Sequence, residues 1–184
     1  MKRQPISIKI SAVAMTVRQF WRMAMGTRSA THTQGHVYPV EHAIRYWMRA
    51  PVITVTFDAP LSDALALMRE HEVRRLPVVL DTGELCGMIT QGDIRGADVL
   101  RFAGLDSVAV ADALRRINIY EVMAERPLSV TPETGLREAA LLMIENKIGG
   151  LPVVGDSGDV VGIITESDLF EVLVQELDRE ADRC

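Results

Sequence analysis

A stretch of about forty-seven residues occurs twice in this chain, at a constant offset of 75 positions and without a gap. The first copy runs from Met48 to Ile94 and the second from Met123 to Leu169. Met48 aligns with Met123, Val55-Thr56 with Val130-Thr131, Leu67-Met68 with Leu142-Met143, and Leu76-Pro77-Val78-Val79 with Leu151-Pro152-Val153-Val154. Gly87, Ile89, Thr90 and Asp93 align with Gly162, Ile164, Thr165 and Asp168, and about 18 of the 47 positions are identical. Two copies of one small unit bury their matching faces together about a pseudo-twofold axis, and a cleft is expected on that axis.

Each copy predicts the same series of elements. Val52 to Val55 is a short extended run, and Asp58-Ala59-Pro60 opens a helix with apolar residues at Leu61, Ala64, Leu65 and Met68. Leu76 to Leu80 is continuously apolar, as in a strand covered on both faces. Asp81-Thr82-Gly83-Glu84 has hairpin-turn chemistry, Leu85 to Thr90 returns as a strand, and a helix starts near Gln91. The second copy repeats this with Leu136, Ala139, Ala140 and Met143, the Asp156-Ser157-Gly158-Asp159 turn, and a last helix from Glu166 to about Glu180. The expectation is an α+β fold of two tandem β-α-β-β-α units. Val40 to Trp47 and Val110 to Val122 read as lead-in helices, with a linker between the copies. The division expected is a basic, disordered tail over 1–36, a first unit over 37–100, a linker over 101–111, a second unit over 112–178 and a C-terminal tail over 179–184.

Charge and cysteine usage narrow the function classes. Of 20 basic residues, six lie in the first forty positions, which hold no acidic one; the remainder carries 14 basic against 25 acidic residues. An acidic body argues against nucleic acid as a partner. The two cysteines, Cys86 and Cys184, make neither a disulfide framework nor a metal set, which favours a reducing cytoplasm. No apolar run approaches the roughly 18 residues of a membrane span. His32, His36, His42 and His71 lack metal-ligand spacing, and no general base stands near an activated nucleophile in sequence, so neither a metal site nor an enzyme is expected.

The motifs that carry chemistry are Thr90-Gln91-Gly92-Asp93 and Thr165-Glu166-Ser167-Asp168, each where a strand gives way to a helix. Threonine at the N-cap with a carboxylate three residues on is a variant of the capping box, and helix capping alone would account for both. The same geometry suits an adenosine phosphate. Free N–H groups at a helix start attract phosphate, a threonine hydroxyl can donate to it, and a carboxylate can accept both hydroxyls of a ribose.

The order short strand, helix, Leu-Pro-Val-Val strand, Asp-x-Gly turn and Gly-x-Ile-Thr-x-x-Asp, present twice over residues 40 to 177, resembles the CBS domain in its tandem form, the Bateman module. The resemblance implies adenosine nucleotides (AMP, ADP or ATP) bound in two clefts between the repeats, with no further cofactor. It places Asp168 and Thr165 with Thr54, Arg74, Arg75, Leu76 and Pro77 in one cleft. Asp93 and Thr90 fall with Ser129, Gly149, Gly150, Leu151 and Pro152 in the other. The two arginines are forked phosphate donors, so the Asp168 cleft is expected to bind more tightly, while Gly149-Gly150 would open room for a backbone or a base. The last helix carries Leu169, Phe170, Leu173, Val174 and Leu177, and the resemblance implies a homodimer through such helices. Three functions compete: a nucleotide-sensing regulator acting on an effector protein in trans, a binder of S-adenosylmethionine or another adenosyl ligand, and a dimerisation unit without ligand.

Overall fold

The computed structural model describes residues 43–101 and 107–182 of the chain. The basic tail, Val40 to His42 of the first lead-in, and His32 and His36 lie outside the described residues.

The first repeat runs β1 (Val55–Thr56), α1 (Leu61–Glu70), β2 (Arg75–Val79), β3 (Leu85–Thr90) and α2 (Gln91–Arg101). The α+β reading holds. Helix α1 buries Leu61, Ala64 and Met68, the i, i+3, i+7 stripe of an amphipathic helix. It ends where Glu72 takes a left-handed conformation, φ 55°, and Lys147 does the same after the matching helix, φ 54°. Strand β2 lies between β1 and β3 and is buried from Leu76 to Val79, so its uninterrupted apolar run reflects cover on both faces. Gly83 and Gly158 hold φ of 91° and 86° in the hairpin turns, a conformation that strains other residues.

The second repeat carries α4 (Leu136–Asn146), β5 (Gly150–Val154), β6 (Val160–Thr165) and α5 (Glu166–Ala181). Its first extended run pairs only through a parallel bridge from Val130 to Val153. The cause is one residue. In the first repeat the Phe57 N–H donates to Val79 O at 3.1 Å, and the aligned residue is Pro132, which has no N–H to give. Between the repeats, α3 (Ser107–Leu114) begins inside the stretch expected to be linker.

The lead-in segments cross over. Ile44, in a 3₁₀ turn over Ile44–Tyr46, and Met48 precede the first repeat yet are buried in the core of the second, among Val130, Leu136, Ala139, Leu151 and Ile164. Leu114, Ile117 and Ile119 precede the second repeat and are buried in the core of the first, among Leu61, Met68, Leu76 and Ile89. The backbone follows the same rule. β4 (Ala124–Glu125) adds to the first sheet by pairing Ala124 with Met88, and Arg49 makes the matching bridge to Ile163. Ile117 O accepts from Leu61 N at 2.9 Å, which satisfies one of the orphan N–H groups at the start of α1. Gly87 and Gly162 complete the arrangement, because a β-carbon on either would fall within 3 Å of the sulfur of Met123 or Met48. Each repeat therefore lacks part of its core until the other copy's lead-in arrives.

Backbone contacts of the two lead-ins recur at the offset of 75, as a pseudo-twofold axis requires: Ala43 bridges Gly135 as Asn118 bridges Pro60, and Ile44 N donates to Thr134 O as Ile119 N donates to Ala59 O. The axis can be placed, since aligned residues that touch must straddle it. Glu84 bridges Asp159 at the hairpin-turn end, and Arg75 lies against Gly150 at the opposite end of the strands.

If the exchange holds the repeats together, Ile44→Ala and Ile119→Ala will each cost about 2–5 kcal/mol, the usual effect of emptying a buried aliphatic site. Urea unfolding of the full chain measures it. A loss of only about 0.5 kcal/mol, as at a surface position, would contradict the crossover.

Candidate functional site

Both Thr-x-x-Asp motifs form helix caps. Asp93 Oδ2 accepts from the Thr90 N–H at 2.8 Å and from the Thr90 hydroxyl at 2.7 Å, and Asp93 N–H donates to Thr90 Oγ1 at 3.2 Å. Asp168 Oδ2 accepts from Thr165 N–H at 2.8 Å and from its hydroxyl at 2.7 Å, completing a capping box. Capping uses one carboxylate oxygen and leaves Oδ1 for another partner.

The two Oδ1 atoms differ. Asp168 Oδ1 accepts from Arg49 Nε at 2.7 Å, and the same guanidinium reaches Glu171 Oε1 through Nη2 at 2.6 Å. The Asp168 side chain is 3% exposed while that of Arg49 is 61% exposed, so the arginine lies over the carboxylate from the solvent side. The hydrogen bond to Asp168 is the largest cause raising the Arg49 pKa above its ordinary value, with partial burial opposing it. Position 124, aligned with Arg49, is alanine. Asp93 Oδ1 consequently has no hydrogen bond or ion pair among the described residues, and Asp93 is only half-buried. Arg49 was missed in the sequence, where its partner is 119 residues away.

The residues ahead of the two Leu-Pro strands meet at the axis. A β-carbon on Gly149 would lie 2.7 Å from Arg75 Nη2 and 2.9 Å from Glu166 Oε2, and one on Gly150 would lie 2.9 Å from Arg75 Nη1. The two glycines thus make room for the Arg75 guanidinium, rather than for a ligand's backbone or base as expected. Burial pushes the Arg75 pKa below its ordinary value; the negative Glu166 works against this and the positive Arg74 adds to it. Arg75 is also the register partner of Thr90, and Arg74 O accepts from Gln91 N–H at 2.9 Å. The arginines assigned to the Asp168 cleft therefore flank the Thr90–Asp93 cap directly, and Arg75 alone reaches across to Glu166 beside Thr165.

Leu76, Pro77, Leu151 and Pro152 are buried, so their side chains form floor rather than contacts. Thr54 is half-buried ahead of β1. Ser129 is exposed and lines an open cavity of about 410 Å³ with Leu80, Glu84, Leu85, Arg126 and Val154. That cavity lies at the hairpin-turn end of β3, and Thr90 lies at the other, about 17 Å along the strand at some 3.4 Å per residue. A ligand touching both Ser129 and Asp93 must be elongated.

Other chemistry finds no support among the described residues. No three His, Cys, Asp or Glu side chains converge on a possible metal position, and no helix is long and apolar enough to cross a membrane. The Cys86 thiol donates to Val78 O at 3.4 Å and burial pushes its pKa up, the opposite of an activated thiolate.

The axial packing makes a coupled prediction. Gly149→Ala will cost about 1–3 kcal/mol through overpacking against Arg75. Most of that loss will vanish in an Arg75→Ala background, so a double-mutant cycle by chemical denaturation will show a coupling of at least about 0.5 kcal/mol. Additive losses would place Arg75 elsewhere in solution.

The CBS-domain family profile matches residues 40–99 and 119–175. A CBS domain-containing protein of Dictyostelium discoideum is 31% identical over 135 residues, which span 73% of this chain and 93% of that protein. The crystal structure of CBSX2 in complex with AMP is 27% identical, with a TM-score of 0.61, over 73% of this chain and 97% of that one. The CBS domain pair of protein MJ0100 in complex with 5′-methylthioadenosine and S-adenosyl-L-methionine is 26% identical, with a TM-score of 0.59, over 71% and 98%. Some relatives are far longer, and the chain spans 22% of an inosine-5′-monophosphate dehydrogenase of Korarchaeum cryptofilum. With two matched repeats, exchanged lead-ins and paired Thr-x-x-Asp caps, the chain belongs to the CBS-domain family as a tandem CBS pair.

Proposed function

We propose that this chain is a regulatory, non-catalytic module that senses adenosine nucleotides in the cleft region between its repeats and passes occupancy to a partner protein in trans. The observation that carries the reading is the axial meeting of Arg74 and Arg75 with the Thr-x-x-Asp helix starts. The forked, partly desolvated guanidinium of Arg75 suits phosphate, the spare carboxylate oxygen of a capped aspartate suits ribose hydroxyls, and the helix start adds its positive end. The likeness to CBSX2, crystallised with AMP, supports the same ligand class. The MJ0100 pair, crystallised with S-adenosyl-L-methionine and 5′-methylthioadenosine, supports a second reading in which an adenosyl ligand without phosphate binds. The half-buried Arg75, next to the positive Arg74, favours the phosphorylated ligand.

Signalling follows from the packing. A ligand held by both repeats at the axis changes the energy of their relative placement, and a coupling of about 1–3 kcal/mol is sufficient for regulation. A second copy of the chain offers one place to read that change. Phe170, Leu173, Val174 and Leu177 of α5 and Ile144 of the neighbouring α4 are all more than half exposed. The aligned first-repeat residues for Ile144, Phe170 and Leu173 are Arg69, Arg95 and Asp98, so these three apolar positions belong to the second repeat and not to the first. A homodimer pairing second repeat to second repeat would cover it.

Two experiments test these readings. Thermal unfolding with AMP, ADP, ATP or S-adenosylmethionine should show stabilisation of about 2.7 kcal/mol, several degrees, at a hundredfold excess over Kd for the ligand that fits. Absence of any shift would leave capping and dimerisation as the role of these motifs. Light scattering should give twice the chain mass of 20.4 kDa, and Leu173→Glu should halve it. A monomeric wild type would remove the dimer.

A further inference from the structure

We propose that Arg49 acts as a built-in occupant of the Asp168 site, so that the chain takes one nucleotide, at Asp93, and not two. The inference rests on the nucleotide reading above and assigns which of the two caps receives the ribose.

A ribose-binding carboxylate must present an oxygen that hydroxyls can reach. Asp168 has none to present, since Oδ2 is held by the N–H and hydroxyl of Thr165 and Oδ1 by Arg49 Nε at 2.7 Å. The guanidinium is anchored a second time on Glu171, and Asp168 is 2% exposed beneath it. Two ribose hydroxyls would have to displace a guanidinium–carboxylate ion pair, charged on both sides, with hydrogen bonds in which only the acceptor is charged. Arg49 is well fixed to resist this. Its backbone exchanges hydrogen bonds with Ile163 at 2.8 and 3.1 Å, and the preceding Met48 is buried in the second core.

Asp93 meets none of these obstacles. The aligned lead-in residue is Ala124, paired to Met88 as Arg49 is to Ile163, and it brings no side chain that could reach a carboxylate. Oδ1 has no partner among the described residues, and the backbones of Arg75 and Arg74 run beside the cap, Arg75 paired with Thr90 and Arg74 O accepting from Gln91 N–H, with the Arg75 guanidinium at the shared axis. At the matching Thr165 the register partner is Gly150. The expectation that the Asp168 cleft would bind more tightly is thereby reversed.

Titration calorimetry of the full chain with AMP and with ATP tests this, using wild type, Asp93→Asn, Asp168→Asn and Arg49→Met, each checked for a cooperative melt. The isosteric amides keep a cap acceptor, and methionine keeps the apolar stem of Arg49, so the variants retain the fold. Wild type should bind one nucleotide per chain. Asp93→Asn should weaken it about tenfold or more, Asp168→Asn should stay within about threefold, and Arg49→Met should raise the stoichiometry to two. Two sites in wild type, loss of binding in Asp168→Asn, or one unchanged site in Arg49→Met would each overturn the lock. No binding by any of the four chains would instead overturn the nucleotide reading itself.

Discussion

The structure depends on an exchange of apolar side chains between the repeats. Ile44 and Met48 complete one core, and Leu114, Ile117 and Ile119 complete the other. Burying an aliphatic side chain of this kind is worth roughly 1.5–3 kcal/mol, so several together exceed what hydrogen bonds across an otherwise polar cleft could supply. A unit of some sixty residues also buries too small a fraction of its surface to be robust alone. The crossover solves both problems and fixes the pseudo-twofold axis. It also decides where function can sit, because the segment carrying Arg49 and the segment carrying Ala124 are each delivered to the opposite repeat's helix cap.

At the axis the requirement is different. Aligned residues there are forced into contact with each other, so two large cations at the same level would collide. The chain places Arg75 opposite Gly149 and Gly150, and a single guanidinium fills the shared space beside Glu166. That makes the axial charge common to both caps. An anion bound there relieves the repulsion between Arg74 and Arg75 and compensates the desolvation of Arg75, the two effects that lower its pKa. On the proposed reading, binding at the axis and the relative placement of the repeats are coupled through this one side chain.

Much of this was legible in the sequence, and the boundary falls between local and non-local information. The buried Leu-Pro-Val-Val strands, the glycine turns and the threonine caps were readable because each is encoded within a few residues. The first strand of the second copy was overread, since Pro132 removes the donor that Phe57 supplies in the first. The crossover was not legible at all. Ile44 and Ile119 look like members of a lead-in helix, and periodicity does not say which copy a helix packs on. The resemblance puts Arg74 and Arg75 together in the Asp168 cleft and reads Gly149-Gly150 as room for a ligand; that those glycines accommodate Arg75 is a contact across about 75 residues that spacing does not encode. Arg49 stood in plain view as the first non-identical position after the Met48–Met123 match.

That position shows how a duplication becomes two different sites. Helix capping needs one oxygen of each aspartate, and both repeats keep it with identical distances. The second oxygen is free to diverge without unsettling the fold. An arginine across from Asp168 neutralises a nearly buried carboxylate, which would be costly to leave unpaired, and also ties the lead-in to α5 through Glu171. An alanine across from Asp93 leaves that carboxylate half-exposed, where water can solvate it at little cost. The burial of each carboxylate thus matches the residue delivered to it by the crossover. On the proposed reading, the contact that pairs Asp168 also withdraws it from ligand chemistry, and Asp93 keeps an oxygen that a nucleotide can use.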